Sequence, residues 1–276
     1  MTRITDIVDN RADGPLLAEH GLSLLVEHGG ERILFDTGAG TALLPNAAAI
    51  GIDLASVSRI VLSHSHHDHT GGLAGFRPVC PIHAGRGIEE PSFCSRPGIP
   101  LHPIGMPAEP LARFRASEVR MTDGLTEAAP GLWLLSPIPR VDPLESVQCF
   151  FRDEACTIPV RVLEEQALLT DDGVLVTGCC HAGVVNTVEA FRAHPGLPRI
   201  RAIVGGLHLG RSDSADLARI GDYLASLNLE SLVMLHCTGE TAEAALCARL
   251  PGIAIRGAAG CIRTFPTLRE EDHLRG

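Results

Sequence analysis

The sequence predicts an α/β layered fold, and three observations carry that prediction. Strand-like and helix-like stretches alternate through the last third of the chain, the pattern of layered α/β architectures. The first third holds short apolar runs broken by glycine turns. The composition is globular: of 276 residues, 45% are hydrophobic and 20% charged, enough to bury a sizeable core. With one Trp, one Tyr and eight Phe, that core must be built from Leu, Ile, Val and Ala.

Taken in order, LSLLVEHGGERILFD (22–36) reads as two strands around a turn at His28-Gly29-Gly30. Residues 41–52 read as a short helix, and VSRIVLS (57–63) as a buried strand. That strand runs into HSHHDHTGGL (64–73), a loop that should open a helix at Thr70-Gly71-Gly72. From about 85 to 145 the texture changes: six prolines fall between Pro91 and Pro110 and four between Pro130 and Pro143. Proline removes backbone donors and is excluded from helix interiors, so this stretch is expected to be irregular, with short strands. It is read either as a surface excursion or as a cap over a site, since long ordered loops are often lids.

Regular periodicity then returns. QALLT and GVLVTG (166–178) predict a hairpin around Asp171-Asp172-Gly173. A helix near 183–194, a strand at 199–206, a helix near 213–227 and a strand at 230–236 follow, then a helix at 240–250 and a last strand near 253–257.

The densest chemical signal is His64-Ser65-His66-His67-Asp68-His69, four imidazoles and a carboxylate directly after a buried strand. In extended backbone His64 and His66 project to the same side. Asp68 and His69 fall where the chain must turn, so they can face a second point nearby, whereas His67 points away and is not read as a ligand. Imidazole with carboxylate suits Zn2+, with Mn2+ or Fe as alternatives. Three further histidines, His181, His208 and His236, stand at the ends of successive predicted strands, which should open on one sheet edge.

His64-x-His66-x-Asp68-His69-Thr70-Gly71-Gly72 resembles the H-x-H-x-D-H signature of the metallo-β-lactamase-fold hydrolases, and Leu34-Phe35-Asp36-Thr37-Gly38 resembles their earlier Asp-bearing turn. The resemblance covers nearly the whole chain. It implies a four-layer αβ/βα sandwich formed by residues 1–276 as one domain, in which the proline-rich segment at about 85–145 is either the cap or the excursion read above, and one or two metal ions where the two halves meet. By the same resemblance His236 matches the last metal ligand, and His208 occupies a place that some members fill with a proton-donating histidine. Asp36 is expected just outside the ligands. In many members an Asp that bridges two metals follows the segment matching Leu175–Gly178; here Cys179, Cys180 and His181 stand there. Either the Cys179 thiolate is a ligand or His181 supplies the contact. His181 is preferred, which leaves Cys179 in the outer ring.

The motifs EHGLSLLVE (19–27), LFDTG, GCCHAGVVN, GGLHL and LHCTG resemble the subgroup called dihydropterin-ribofuranosylaminobenzene 5'-phosphate synthase-like. His20, in the first of these, is either near the site or in an ordinary surface turn. The expected activity is hydrolysis of a small ester or phosphoester. His64, His66 and His181 would hold one ion and Asp68, His69 and His236 a second, with Asp68 orienting the nucleophile and His208 protonating the leaving oxygen. The alternatives are a methanopterin-pathway synthase-like transferase, and a non-hydrolytic metal-binding or oxygen-reactive protein.

Other classes lack support. Lys and Arg number 23 against 33 Asp and Glu, a net charge of -10, so nucleic acid and anionic membrane surfaces are not expected as partners; a small, including a phosphorylated, substrate is. The amino terminus MTRITDIVDNRADG has no apolar h-region, and no apolar run is long enough to span a bilayer. Nine cysteines in no compact disulfide pattern suggest reduced thiols and a cytoplasmic location. No G-x-G-x-x-G, C-x-x-C or G-x-S-x-G motif competes with the metal reading.

Overall fold

The structure, a computed structural model, describes residues 1–76, 79–96, 99–143 and 149–267. In chain order the amino half contributes β1 (Thr2–Val8), β2 (Ser23–His28), β3 (Glu31–Phe35), α1 (Leu43–Ala49), β4 (Arg59–Leu62), α2 (His67–Thr70), β5 (Ile82–Gly85), β6 (Phe93–Arg96), β7 (Ile99–Pro103), α3 (Ala108–Arg115) and β8 (Val119–Thr122). The remainder contributes β9 (Gly124–Ala129), β10 (Leu132–Ser136), β11 (Phe150–Phe151), β12 (Pro159–Val160), β13 (Ala167–Thr170), β14 (Val174–Thr177), α4 (Val184–Arg192), β15 (Ala202–Gly205), α5 (Ser214–Ser226), β16 (Ser231–Met234), α6 (Glu240–Arg249), β17 (Ala254–Arg256) and β18 (Ile262–Phe265). No helix among the described residues is long and apolar enough to cross a membrane.

Two seven-stranded sheets form the frame. Their orders are β18-β1-β2-β3-β4-β5-β8 and β17-β16-β15-β14-β13-β10-β9. Strand alternation decides how they pack, because successive side chains point to opposite faces. In the first sheet Leu24, Val26, Ile33, Phe35 and Val61 share a core with Val174, Val176, Val204 and Val233 of the second, so these residues form the layer between the sheets. Their neighbours Leu25, Leu34, Ile60 and Leu62 face outward onto the side covered by α1 and α3. Leu175, Ile203, Leu232 and Met234 face the side covered by α4, α5 and α6. The result is helices, sheet, sheet, helices, the four-layer αβ/βα sandwich.

Several elements depart from the sequence reading. Residues 2–8, where Thr and Asp interrupt the apolar run, form β1 between β2 and β18. The helix expected to open at Thr70 begins at His67. The proline-rich stretch is more regular than expected: β8 joins the edge of the first sheet by parallel pairing with β5, and β9 and β10 extend the second. Helix α3 tolerates Pro110 because it falls in the first turn, where the missing N–H has no intrahelical partner to lose. A third sheet, β12-β11-β6-β7, stands apart from the main two and has its own small core of Cys94, Ile104, Phe150 and Val162.

Parallel pairing positions the site. Strands β3 and β4 run parallel, as do β14, β15 and β16, so within each sheet their carboxyl ends share an edge. At that edge the two sheets approach so closely that a Cβ on Gly178 would lie 2.1 Å from Ser63 Oγ. Only glycine fits there. Gln166 ties the sheets together nearby, its Nε2 donating to the Leu62 and His83 carbonyls at 2.8 and 3.0 Å.

Candidate metal centre

The carboxyl ends of the strands carry the chemistry. Asp36 follows β3, His64 follows β4, Cys179 and His181 follow β14, His208 follows β15 and His236 follows β16. Asp36, Cys180, His208 and His236 take positive φ values of 58°, 56°, 50° and 48°. A non-glycine residue in that region costs roughly 1–3 kcal/mol and persists only where its surroundings hold it. Four such residues at one edge mark the place where side-chain direction is fixed at the expense of backbone comfort.

Asp36 organises the first sheet's contribution. Its buried carboxylate accepts from Ser63 N at 2.6 Å, Ser63 Oγ at 2.7 Å and His69 Nδ1 at 2.6 Å. Ser63 Oγ has given its one proton to Asp36, so the 2.8 Å contact with His64 Nδ1 requires that ring nitrogen to donate. His64 and His69 therefore both carry their proton on Nδ1 and turn a bare Nε2 inward. His236 is fixed from a third direction: Asn10 Oδ1 accepts from its Nδ1 at 2.8 Å, Asn10 Nδ2 donates to its carbonyl at 3.1 Å, and Asp9 Oδ1 accepts from its backbone N at 2.6 Å.

These inward nitrogens face one another. His64 Nε2 lies 3.3 Å from His181 Nε2, and His69 Nε2 lies 3.2 Å from His236 Nε2 and 3.2 Å from Cys179 Sγ. Asp68 Oδ2 lies 3.3 Å from His236 Nε2 and 3.3 Å from His20 Nε2. His66 Nε2 is buried with no hydrogen-bond partner, its ring 4.4 Å from that of His64 and 4.9 Å from that of His181. Lone pairs opposed in this way repel unless a proton or a cation lies between them. Imidazole, carboxylate and thiol are the donor set of a borderline-soft divalent ion, so the residues present fit a metal centre. Three sets of donor atoms lie within 4.8 Å of one another here: His64, Cys179 and His181; His69, Cys179 and His236; and His20, Asp68 and His236.

The electrostatics agree with that chemistry. Burial, reinforced by neighbouring imidazoles, holds His64 and His181 well below the usual histidine range, and burial takes His66 down to about 3. All three stay neutral and able to ligate. His236 goes the other way, to about 9: burial opposes protonation, but Cys237 and Asp68 outweigh it. Burial pushes the Cys179 thiol up, with Cys237 acting in the same direction.

Of the residues singled out in the sequence, His64, Asp68, His69, His181 and His236 enter the donor sets, with exposed His20 at the rim, whereas His66 packs its ring against His64 and His181 outside those sets. Half-buried His208 stands beside the cluster, its ring 4.6 Å from that of His181, outside the three donor sets. His67 lies apart, with Nδ1 at 3.3 Å from the Ile104 carbonyl. Asp36 orients His69 from behind. Cys179 differs from its expected place in the outer ring, because its sulfur belongs to two of the donor sets. Sequence reasoning missed Asp9, Asn10, Ser63, Glu165 and Phe150. Glu165 accepts from the backbone N of His181 and Ala182 at 2.6 and 2.8 Å and is raised by burial to about 7. Phe150, from the small third sheet, packs edge-on to His66 and His181 with ring centroids 4.9 and 5.5 Å away.

This chain belongs to the metallo-β-lactamase superfamily, a metal-dependent family whose model matches residues 17–134. It is similar to the 7,8-dihydropterin-6-methyl-4-(beta-D-ribofuranosyl)-aminobenzene-5'-phosphate synthase of Methanocaldococcus jannaschii, with 30% identity over 84% of this chain and 85% of that one. It is also similar to the solved structure of Tm1679, a metal-dependent hydrolase of the β-lactamase superfamily, with a TM-score of 0.84, 25% identity, and 96% of this chain and 99% of that one covered. Zn2+-bound PqqB from Methylobacterium extorquens shares the fold at a TM-score of 0.58 and 14% identity, over 95% of this chain and 99% of that one.

Proposed function

We propose that this chain is a zinc-dependent hydrolase acting on a small ester or phosphoester. The observation that carries the reading is the set of inward-facing imidazole nitrogens contributed by both sheets to one edge. His64, His66 and His181 would hold one ion and Asp68, His69 and His236 a second, and Mn2+ or Fe could use the same donors. A bound cation would supply Lewis acidity, making water more acidic and offsetting charge on the substrate oxygen.

The chain's own residues supply the rest. Asp68 Oδ2, already turned towards His20 and His236, accepts a hydrogen bond from the attacking water and orients it. His208, half-buried beside His181, gives a proton to the leaving oxygen. Phe150 keeps water from the His66 and His181 side, and Asp36 and Asn10 keep His69 and His236 from turning. Purified protein is expected to contain one to two metal ions per chain and to release product from model esters or phosphodiesters with water as the second reactant. Undiminished turnover by chelator-stripped protein, verified metal-free by elemental analysis, overturns the reading.

A second reading rests on the similarity to the M. jannaschii synthase: a transferase that uses the same centre to join a phosphorylated substrate to a pterin-like partner. Product analysis separates the two. A product containing both organic substrates, with none formed from water alone, favours the transferase.

A further inference from the structure

We propose that the Cys179 thiolate is shared between two cations. The inference rests on the metal-dependent reading above and goes beyond it in the identity of the shared ligand. Two donor sets, one built on His64 and His181 and the other on His69 and His236, have a single member in common, and it is Cys179. Its sulfur lies 3.2 Å from His69 Nε2, a nitrogen that Asp36 leaves without a proton.

The backbone explains why this cysteine and neither neighbour faces inward. After β14 the chain passes Gly178, which permits the two sheets to touch, and delivers Cys179 to the inner side. Cys180, at φ 56°, turns outward into the core beneath α4 with Leu175, Ala182 and Val184. That reversal brings His181 back to the site, where Glu165 holds its backbone. Cys237 Sγ is directed at the Cys179 carbonyl, 3.8 Å away, and belongs to none of the donor sets.

Ligation displaces the Cys179 proton to solvent and leaves one sulfur anion with lone pairs for two ions. A carboxylate bridge offers one hard oxygen to each ion; a sulfur bridge favours borderline-soft Zn2+ or Fe2+ over Mn2+.

Cobalt(II) reports the shared ligand without reference to turnover. Metal-free protein is titrated with Co2+, and ions are counted while the near-ultraviolet sulfur-to-cobalt absorption is followed. The wild type is expected to take up about two ions, with the absorption growing through both equivalents. Cys179→Ser should lose the absorption and hold about one ion or fewer. Cys179→Asp should hold two without the absorption, and should accept Mn2+ in competition with Zn2+ more readily than the wild type does. Cys237→Ser should match the wild type. Circular dichroism of the metal-free variants checks that each is folded, and Cys179→Asp serves if the serine variant is not. Two bound ions with no sulfur absorption, an absorption complete at the first equivalent, or one that survives Cys179→Ser overturns the shared thiolate while leaving the metal-dependent reading intact. A wild type that binds no cation at all overturns both.

Discussion

Two clusters of histidine and carboxylate sit at opposite ends of β1, and they are chemically unlike despite their similar composition. At the carboxyl end is the centre described above. At the amino end His28, Asp171 and Asp172 also bring donor atoms within 4.8 Å of one another. There, however, both imidazole nitrogens of His28 are satisfied by protein oxygens: Nδ1 by Thr2 Oγ1 at 2.8 Å and Nε2 by Asp171 at 3.0 Å. Thr2 Oγ1 in turn lies 2.8 Å from Asp172 Oδ2. That network joins the start of β1, the end of β2 and the β13–β14 turn, and it leaves neither ring nitrogen of His28 open, although Asp172 Oδ1 is buried without a hydrogen-bond partner. In the other cluster the outer nitrogens of His64, His69 and His236 are satisfied and their inner ones face further ring nitrogens. Residue types and spacing nominate a site, whereas imidazole nitrogens left without a protein oxygen as partner define one.

The largest effect expected from breaking that contrast comes at the open cluster. His69→Ala removes a nitrogen that lies against both His236 and Cys179. Loss of Lewis-acid stabilisation worth several kcal/mol corresponds to roughly two to three orders of magnitude in kcat/KM. Elemental analysis of the same preparation should show fewer ions per chain. Next in size is Asp36→Asn, which weakens the bond fixing the His69 tautomer without touching the centre itself. Outer partners of this kind typically change metal affinity by about 10–100-fold, measurable by competition with a chromophoric chelator.

A third test uses pH on metal-free protein. His66 titrates near 6.5 when unfolded and at about 3 when folded. Above pH 6.5 both states are neutral and the group contributes nothing. Below it the unfolded chain takes up a proton that the folded one refuses, so stability falls as pH drops from 6.5 towards 3. At pH 5 the loss is about 2 kcal/mol from this group, and His64 and His181 act in the same direction. His236, raised to about 9, has the opposite sign: its contribution is present below pH 6.5 and fades as pH climbs through 9. Chemical denaturation at pH 5 and pH 7 measures the acid limb, and a folded His66→Gln variant should show it shallower by one proton.

What was legible in the sequence follows from how local each signal is. The H-x-H-x-D-H run lies on one strand end and its turn, so its spacing alone fixes direction. Three strands ending in His181, His208 and His236 could be aligned because parallel pairing brings their carboxyl ends to one edge. Asp9 and Asn10 were not legible, because β1 reads TRITDIV, with polar residues where a strand facing another sheet would be expected to be apolar. The Asp6 carboxyl in that strand is buried without a hydrogen-bond partner, and burial raises its pKa well above the usual carboxylate range. Glu165 and Phe150 reach the site through tertiary packing from segments with no chemical motif. The same holds for the shared position of Cys179, which depends on distances between strands of different sheets.

The smallest effect separates the two clusters most cleanly. His28→Gln keeps a polar side chain but cannot reproduce both ring contacts, so it should lower stability by about 1 kcal/mol, the net worth of an ordinary buried hydrogen bond. The shift is read as a change in denaturation midpoint at constant slope. Metal content and kcat/KM should stay at wild-type values, because the nearest donors of the open cluster lie at the far end of β1. A closed network resists substitution through lost bonds alone, while an open one loses an ion as well. If His28→Gln instead reduced the number of bound ions while the His64 to His69 segment remained intact, the amino-end cluster would itself be holding a cation. Satisfied ring nitrogens would then fail as the criterion that distinguishes a structural histidine from a ligand in this fold.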